Sequence, residues 1–472
     1  MAHQSLADAE TDGARPRTLT MPALDPSPIA VFTGPFTEVH ATRLLWRAGF
    51  GPRPGQARAL AALGLEGAVA SLTRPAGAAR LIGRPPHGAD GRPLDPINVW
   101  GDDHCWWLDR MVRSDLQLVE RMTLIWHSWF ATSIEASNAQ LMLGQNRMMR
   151  ARALGNFHDL LIEVTRDPAM LLWLSGTSNT KYSPNENYAR EVMELFTLGA
   201  DRGAYTQHDV HEQARALTGF RNDWSNSGPT NFRFDPSLHD DGMKQIFGHR
   251  GRFSWRDTCR LCVEHPLHPS FVVAKLWGYF VGTPASARDA RGLAKTYVRS
   301  GFEIRPLLEA ILRHPLFYDG PRMVIPPIVY TAGLLRAQEL TITTDDWAWI
   351  GEEAGQRLFD PPNVAGWDYT HWLDTSRWAG RFTTVTYALQ DRVLNPNAKS
   401  YPMGENASHA LEKALGYWGD PPLSAQTRAN LLAFSRRAGQ GITADWEQVT
   451  YRILRQNALR ALIPTTPDWQ TC

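Results

Sequence analysis

Three groups of acidic, imidazole and basic side chains are spaced so that they could do chemistry. In SDLQLVERMTLIWHSWFA (114–131), Glu120, Thr123 and His127 fall at i, i+3 and i+7, on one face of a helix. Val119, Met122, Leu124, Ile125, Trp126, Trp129 and Phe130 make that helix apolar nearly all round, the mark of a buried helix. A carboxylate and an imidazole inside it must be paired, hydrogen-bonded or bound to something. Such groups carry shifted pKa values, the condition for acid–base work. In PNENYAREVMELFTLG (184–199), Glu191 and Glu194 stand one turn apart, with Asn187 one turn before Glu191. Glu186 and Arg190 form an i, i+4 pair, and Glu186 is expected mainly to cap the helix. In SLHDDGMKQIFG (237–248), His239, Asp240, Asp241 and Lys244 crowd a loop that could present them to a substrate. The same loop could instead be tied down by Asp side chains bonding their own backbone.

Three readings of these groups stay open. They form satisfied internal networks that fix helix packing. Or Glu120, His127, Glu191, Glu194 and His239 or Asp240 bind one or two metals, although neither helix has the Glu-x-x-His of helical-bundle sites. Or they are metal-free acid–base and anion-binding groups, needing no cofactor, in a cleft roofed by a Trp-rich loop. His208 and Glu212, at i, i+4, could join either active reading, although His208 is expected at the surface. Arg43, Arg47, Arg190, Arg215, Arg377 and Arg381 would suit sulfate, phosphate or carboxylate, but by default are solvated or paired. Cys259-x-x-Cys262 with His265 and His268 could make a zinc site, against the plainer account of buried thiols on a helix face. The nucleophile-elbow, phosphate-loop, zinc-protease and dinucleotide signatures are absent.

These residues must be positioned by helices. The chain has 472 residues, 43% hydrophobic and 21% charged, the profile of a globular protein rather than a disordered or fibrous one. Lys+Arg at 49 against Asp+Glu at 48 leaves a net charge of +1, which gives no general pull toward nucleic acid or anionic membranes. Eighteen tryptophans predict buried indole hydrogen bonds or aromatic-walled clefts. No apolar run is long enough to span a bilayer. The first residues lack the apolar core of an export signal, and four scattered cysteines are too few for a disulfide framework, so a cytoplasmic setting is expected.

Apolar spacing predicts a mainly α fold: a single large multi-helix domain with long Pro/Gly/Trp-rich loops. Residues 1–36 read as a tail, 37–76 as a small N-terminal helical cap, 77–99 as a loop and 100–472 as the main body. Ser114 with Gln117, Ser183 through Glu186, and Thr206 with Asp209 read as helix starts, and Gly199 and Gly219 as helix ends. A short hairpin is expected around 231–234 and a long loop over 351–381.

The motifs RLLWRAGFGP (43–52), ERMTLIWHSWF (120–130), NENYAREVMELFTLG (185–199), YTQHDVHEQARALTGF (205–220), HDDGMKQIFG (239–248), HPSFVVAKLWGYFV (268–281) and FDPPNVAGWDYTHW (359–372) occur in an order that resembles the bacterial domain-of-unknown-function family 1800. The resemblance runs from about residue 37 to the C-terminus. It implies a partner of the sister family 1501, which is similar to alkaline phosphatases and arylsulfatases. Many members carry an export signal and this chain shows none, which suggests a cytoplasmic biosynthetic role. The expected activity is then that of one component of a two-protein enzyme closing a strained, aziridine-type ring by intramolecular displacement of sulfate by an amine. Glu120, Glu191 or His127 would be the base. Glu194 would stand beside them, and Lys244, His239 and Arg190 would receive the sulfate. Asn187 and Asp240 would hold the substrate, and Trp224, Trp367 and Trp372 would wall the pocket. The alternatives are a non-catalytic helical scaffold that stabilises its partner, and a carboxylate/His metalloenzyme.

Overall fold

The computed structural model describes residues 29–226, 228–369, 371–398, 400–402 and 404–472. Helices α1 (Glu38–Arg47), α2 (Gln56–Ala61) and α3 (Gly64–Thr73) lead in, and α4 (Asp102–Arg113) and α5 (Gln117–Trp129) follow the loop. Next come α6 (Ala139–Ala151), α7 (Phe157–Thr165) and α8 (Pro168–Trp173), started by Asn138, Asn156 and Asp167, whose side chains accept from first-turn amides. Helix α9 (Asn187–Glu191) runs into a π-helical turn, Val192–Thr197, and α10 (Gln207–Ala216) follows. Two small antiparallel hairpins come next: β1 (Phe220–Ser225) with β2 (Gly228–Phe234), and β3 (Lys244–Ile246) with β4 (His249–Gly251).

The second half is helical again. It comprises α11 (Trp255–Glu264), α12 (His268–Phe280), α13 (Ala287–Arg299), α14 (Ile304–Leu312), α15 (Pro315–Asp319) and α16 (Pro327–Ala337). Helices α17 (Trp347–Glu353) and α18 (Thr375–Leu389) flank the Trp-rich loop. Helices α19 (Ala407–Tyr417), α20 (Ala425–Arg437), α21 (Asp445–Leu462) and α22 (Pro467–Gln470) complete the described chain. The mainly α expectation holds, and no helix among the described residues is long and apolar enough to cross a membrane.

Two apolar clusters form the core, and α5 belongs to both. Met122, Ile125, Trp126 and Trp129 pack with α7, α12 and α14, while Leu124 packs with α4 and α16. That sandwich is why the sequence of α5 is apolar all round. Helix α1 is shared in the same way, through Leu44 and Leu45 on one side and Trp46 on the other. The expected tail lies outside the described residues over 1–28. Phe32 is already buried, and its amide donates to the Arg313 carbonyl.

Two expected helix starts move. Ser114 ends α4 rather than starting α5. Gln117 is buried in the corner, donating to the Met111 and Ser114 carbonyls and accepting from the Phe50 amide. Ser183 pairs with Thr180, and α9 begins one turn later at Asn187, whose amide donates to the Asn185 side chain. The Thr206–Asp209 box forms as expected, with both reciprocal bonds made.

The π-helical turn leaves three successive carbonyls beyond the reach of its own amides. Leu195 accepts from Lys275, Phe196 from the Trp129 indole, and the Thr197 carbonyl meets His268 Nδ1. Side chains of α5 and α12 therefore finish a helix that they do not belong to.

Candidate functional site

The structure does not bring the sequence-predicted residues into one network. Glu120 is fully buried, and Arg150 grips both carboxylate oxygens at 2.7 and 2.9 Å. Arg110 stands 3.5 Å away. His127 is packed among Trp107 (5.2 Å), Phe359 (5.9 Å) and Trp367 (5.5 Å). Burial pushes its pKa down to about 3, although the interaction with the Gln145 side chain works the other way. An imidazole so reluctant to take a proton suits packing better than general-base work.

The α9 group and the 239–244 group are linked through α10. Arg190 donates to Glu186 and Gln207, and Tyr205 donates to Glu194 at 3.3 Å. Burial pushes the Glu191 carboxyl up, and the nearby Glu194 adds to the shift. Asn187 is exposed. Arg215 grips Asp240 at 2.7 Å and Glu212 at 2.9 Å. Burial would raise the Asp240 carboxyl, but the hydrogen bonds from Arg215 and the Gly242 amide and the charges of Arg215 and Lys244 together outweigh it, and the net direction is down. Lys244 is 1% exposed and donates to the Asp240 and Gly242 carbonyls. His239 Nδ1 lies 3.0 Å from the Thr218 carbonyl, with its ring against Phe234. Trp367 and Trp372 are buried, whereas Trp224 is 72% exposed and walls nothing.

Four of the six arginines considered for anions bind backbone carbonyls instead, Arg377 among them through that of Glu352 at 3.2 Å. Arg43 holds those of Tyr318, Gly320 and Pro321, Arg47 those of Phe317, Pro321 and Cys472, and Arg381 that of Ile325. Cys259 and Cys262 are buried, with Thr165 and Gln213 as partners, and burial pushes the Cys259 thiol up to about 12. Their neighbour His268 lies between the Thr197 carbonyl and the Tyr297 hydroxyl. Among the described residues no three His, Cys, Asp or Glu side chains gather to hold a metal ion, so neither the CxxC zinc nor the carboxylate–imidazole metal set is assembled.

A different cluster lies between α5, α12 and the 359–372 loop. Arg121 and Ser128 are two turns apart on α5. Arg121 is 5% exposed, and its Nε and Nη1 have no hydrogen-bond partner. Burial pushes its guanidinium down to about 10, offset in part by the acidic group of Cys472 and the phenols of Tyr369 and Tyr279. Ser128 Oγ lies 3.3 Å from the Tyr369 hydroxyl, and the Tyr369 and Tyr279 rings meet edge-on at 5.4 Å. Burial pushes both phenols up, yet Tyr369 keeps 41% exposure. The rim of the cluster is open while its hydroxyl ends are enclosed.

Lys275 stands one turn before Tyr279 on α12, 4.5 Å from the Trp129 ring. Its Nζ donates to the Leu195 carbonyl at 3.0 Å, and burial pushes its pKa down to about 7. Between about 7 and the ordinary lysine value near 10.4, the unfolded chain holds a proton that the folded chain lacks. Stability therefore rises with pH across that window. The urea midpoint of the native protein is expected to climb from about pH 7 to about 9.5 more steeply than that of Lys275→Met. Equal slopes would show that the amine is hydrated rather than buried.

The loop is seated by its backbone. Gly366 has φ +90, and a Cβ there would collide with the Ser128 carbonyl. Gly366→Ala is therefore expected to lift Tyr369 from Ser128, with protease nicking of 359–372 as the readout. Unaltered cleavage would mean the loop is held elsewhere. The sequence signals for this cluster were present. Arg121 and Ser128 share a heptad spacing, Lys275 and Tyr279 share a face of HPSFVVAKLWGYFV, and Tyr369 lies between Trp367 and Trp372.

These elements define a mainly α-helical protein with a polar cluster enclosed between two helices and a Trp/Gly-rich loop. The chain belongs to the family described as protein of unknown function (DUF1800), which matches residues 43–471, as the order of motifs suggested. No curated protein and no solved structure matches it.

Proposed function

We propose that this chain is a cytoplasmic enzyme component that holds the anionic group of a small-molecule ester at Arg121 and assists its displacement. The observation that carries this reading is a buried guanidinium with two unbonded nitrogens beside hydroxyl groups. A departing sulfate or phosphate gathers charge on oxygen, and donors fixed in place beforehand stabilise it. Arg121, Ser128, Tyr279 and Tyr369 are such donors. In the proposed ring closure an amine nitrogen forms the C–N bond while the C–O bond breaks onto the sulfate. The N–H proton passes to the Lys275 amine, about half of which burial leaves neutral near pH 7. Trp367 and Trp372 support the loop that folds the substrate.

A sulfatase-fold partner of the sister family 1501 completes this proposal. The exposed Trp100–Trp349 pair, 4.3 Å apart and 49% and 47% exposed, supports a surface of that kind. The test supplies a sulfated amino alcohol to the chain with and without such a partner, and measures free sulfate and cyclic amine. Arg121→Met and Lys275→Met are each expected to lower release by roughly 10²–10³-fold. Undiminished release from both would sink the assignment. The closure of Glu120, Asp240 and Lys244 on internal partners favours a second reading, a scaffold for the same partner. On that reading, both variants leave release intact while loss of the Trp100–Trp349 pair lowers the partner's yield.

A further inference from the structure

A cavity of about 430 Å³ opens elsewhere, lined by Trp46, Trp418, Trp469, Arg43, Arg53 and Arg322 among others. None of Arg121, Ser128, Lys275, Tyr279 or Tyr369 lines it. Its size falls within the range of small-molecule sites, about 300–1,000 Å³. The three indoles form one wall, with Trp46 and Trp469 at 5.9 Å and Trp469 and Trp418 at 5.2 Å, each pair edge-on. Trp418 is anchored by its indole nitrogen to the Arg460 carbonyl at 2.8 Å, and Trp469 Nε1 has no partner. Both rims are stiff turns: Pro52-Arg53-Pro54 on one side, and Asp420, at φ +53, running into Pro421-Pro422 on the other. The wall and the rims are therefore set in advance.

The charges are uneven. Arg322 is satisfied by Asp468 at 2.8 Å and by carbonyls. Glu38 faces Arg58 at 3.5 Å. Arg43 donates only to carbonyls, and Arg53 to the Val112 carbonyl at 2.7 Å, with its nearest carboxylate, Glu339, at 4.0 Å. The Nε atoms of both are without partners. Arg53 thus has its nearest carboxylate only at 4.0 Å, and Arg43 feels the acidic groups of Cys472 and Asp319 without a close ion pair to either, beside an aromatic wall that stacks flat rings.

We infer that this cavity binds a small aromatic oxyanion, with the ring against Trp46, Trp418 and Trp469 and the anionic group toward Arg43 and Arg53. The probe is 2-naphthoate, with its neutral isostere 2-naphthamide, followed by titration calorimetry and tryptophan fluorescence. One naphthoate is expected per chain, with roughly tenfold weaker binding of the amide. Trp418→Ala should abolish binding and Trp418→Phe should retain it. Arg53→Gln should bring the acid down to the level of the amide. The comparison of acid and amide on the native protein stands even if a variant fails to fold. Absence of saturable naphthoate binding, equal affinity for acid and amide, or indifference to both Trp418→Ala and Arg53→Gln would overturn the inference.

Discussion

Arg121→Met is expected to melt at a higher temperature than the native protein while losing its response to sulfate. A guanidinium that is 5% exposed, with two nitrogens unbonded, has lost its hydration without gaining a close ion pair. Exchange of buried charge for an apolar side chain of similar length is often neutral or stabilising by about 1–4 kcal/mol. We expect a gain near the lower end of that range, because the acidic group of Cys472 already offsets part of the cost. A ligand that binds only the folded chain adds stability in proportion to its occupancy. Sulfate at low concentration, against chloride of matched ionic strength, should therefore raise the melting temperature of the native protein and not of the variant. A destabilised variant that keeps the full sulfate shift would show that Arg121 is bound internally and that the anion sits elsewhere. Stability and binding moving in opposite directions is the signature of a side chain retained for function.

Glu120→Gln should have the opposite character. Its carboxylate is held by Arg150 and faced by Arg110, and Arg110, Arg147 and Arg150 all lie over the Trp106 ring at 5.4, 5.7 and 5.4 Å. Neutralising the acid that Arg150 and Arg110 share leaves a crowd of positive charge around an indole. Breaking a buried pair from one side costs about 3–5 kcal/mol. The urea midpoint should fall accordingly, with the slope unchanged. The double change Glu120→Met with Arg150→Met should recover a large part of the loss, because no unmatched partner remains between those two. Sulfate release per folded molecule should match that of the native protein. A well-folded Glu120→Gln chain with no turnover would return Glu120 to the reacting groups.

These two neighbours in sequence show what could and could not be read in advance. The burial of α5 was legible, because a helix apolar on every side has nowhere to go but between two layers. The partner of Glu120 was not, since Arg150 lies thirty residues on, in α6, and Arg110 in α4. Only tertiary packing brings them together. The isolation of Arg121 was less legible still, because lacking a partner is a property of everything around a side chain and not of its spacing. Ser114 looked like a helix start by residue type, but Gln117 found better partners in the carbonyls of the preceding helix. Although α17 runs on to Glu353 and α18 already begins at Thr375, most of the 351–381 stretch was legible as a loop carrying tryptophans. That it presses its backbone on Ser128 through Gly366 follows from a close approach that composition does not encode.

The widened turn after α9 has one more consequence. The carbonyls left over by the turn carry partial negative charge, and Lys275 grips the first of them from across the core. A proton arriving at that amine strengthens the grip, and a proton leaving relaxes it. Glu194 lies in that turn and Glu191 at the end of α9 just before it, so one lysine on α12 holds, from the far side, the backbone that carries two carboxylates it does not touch.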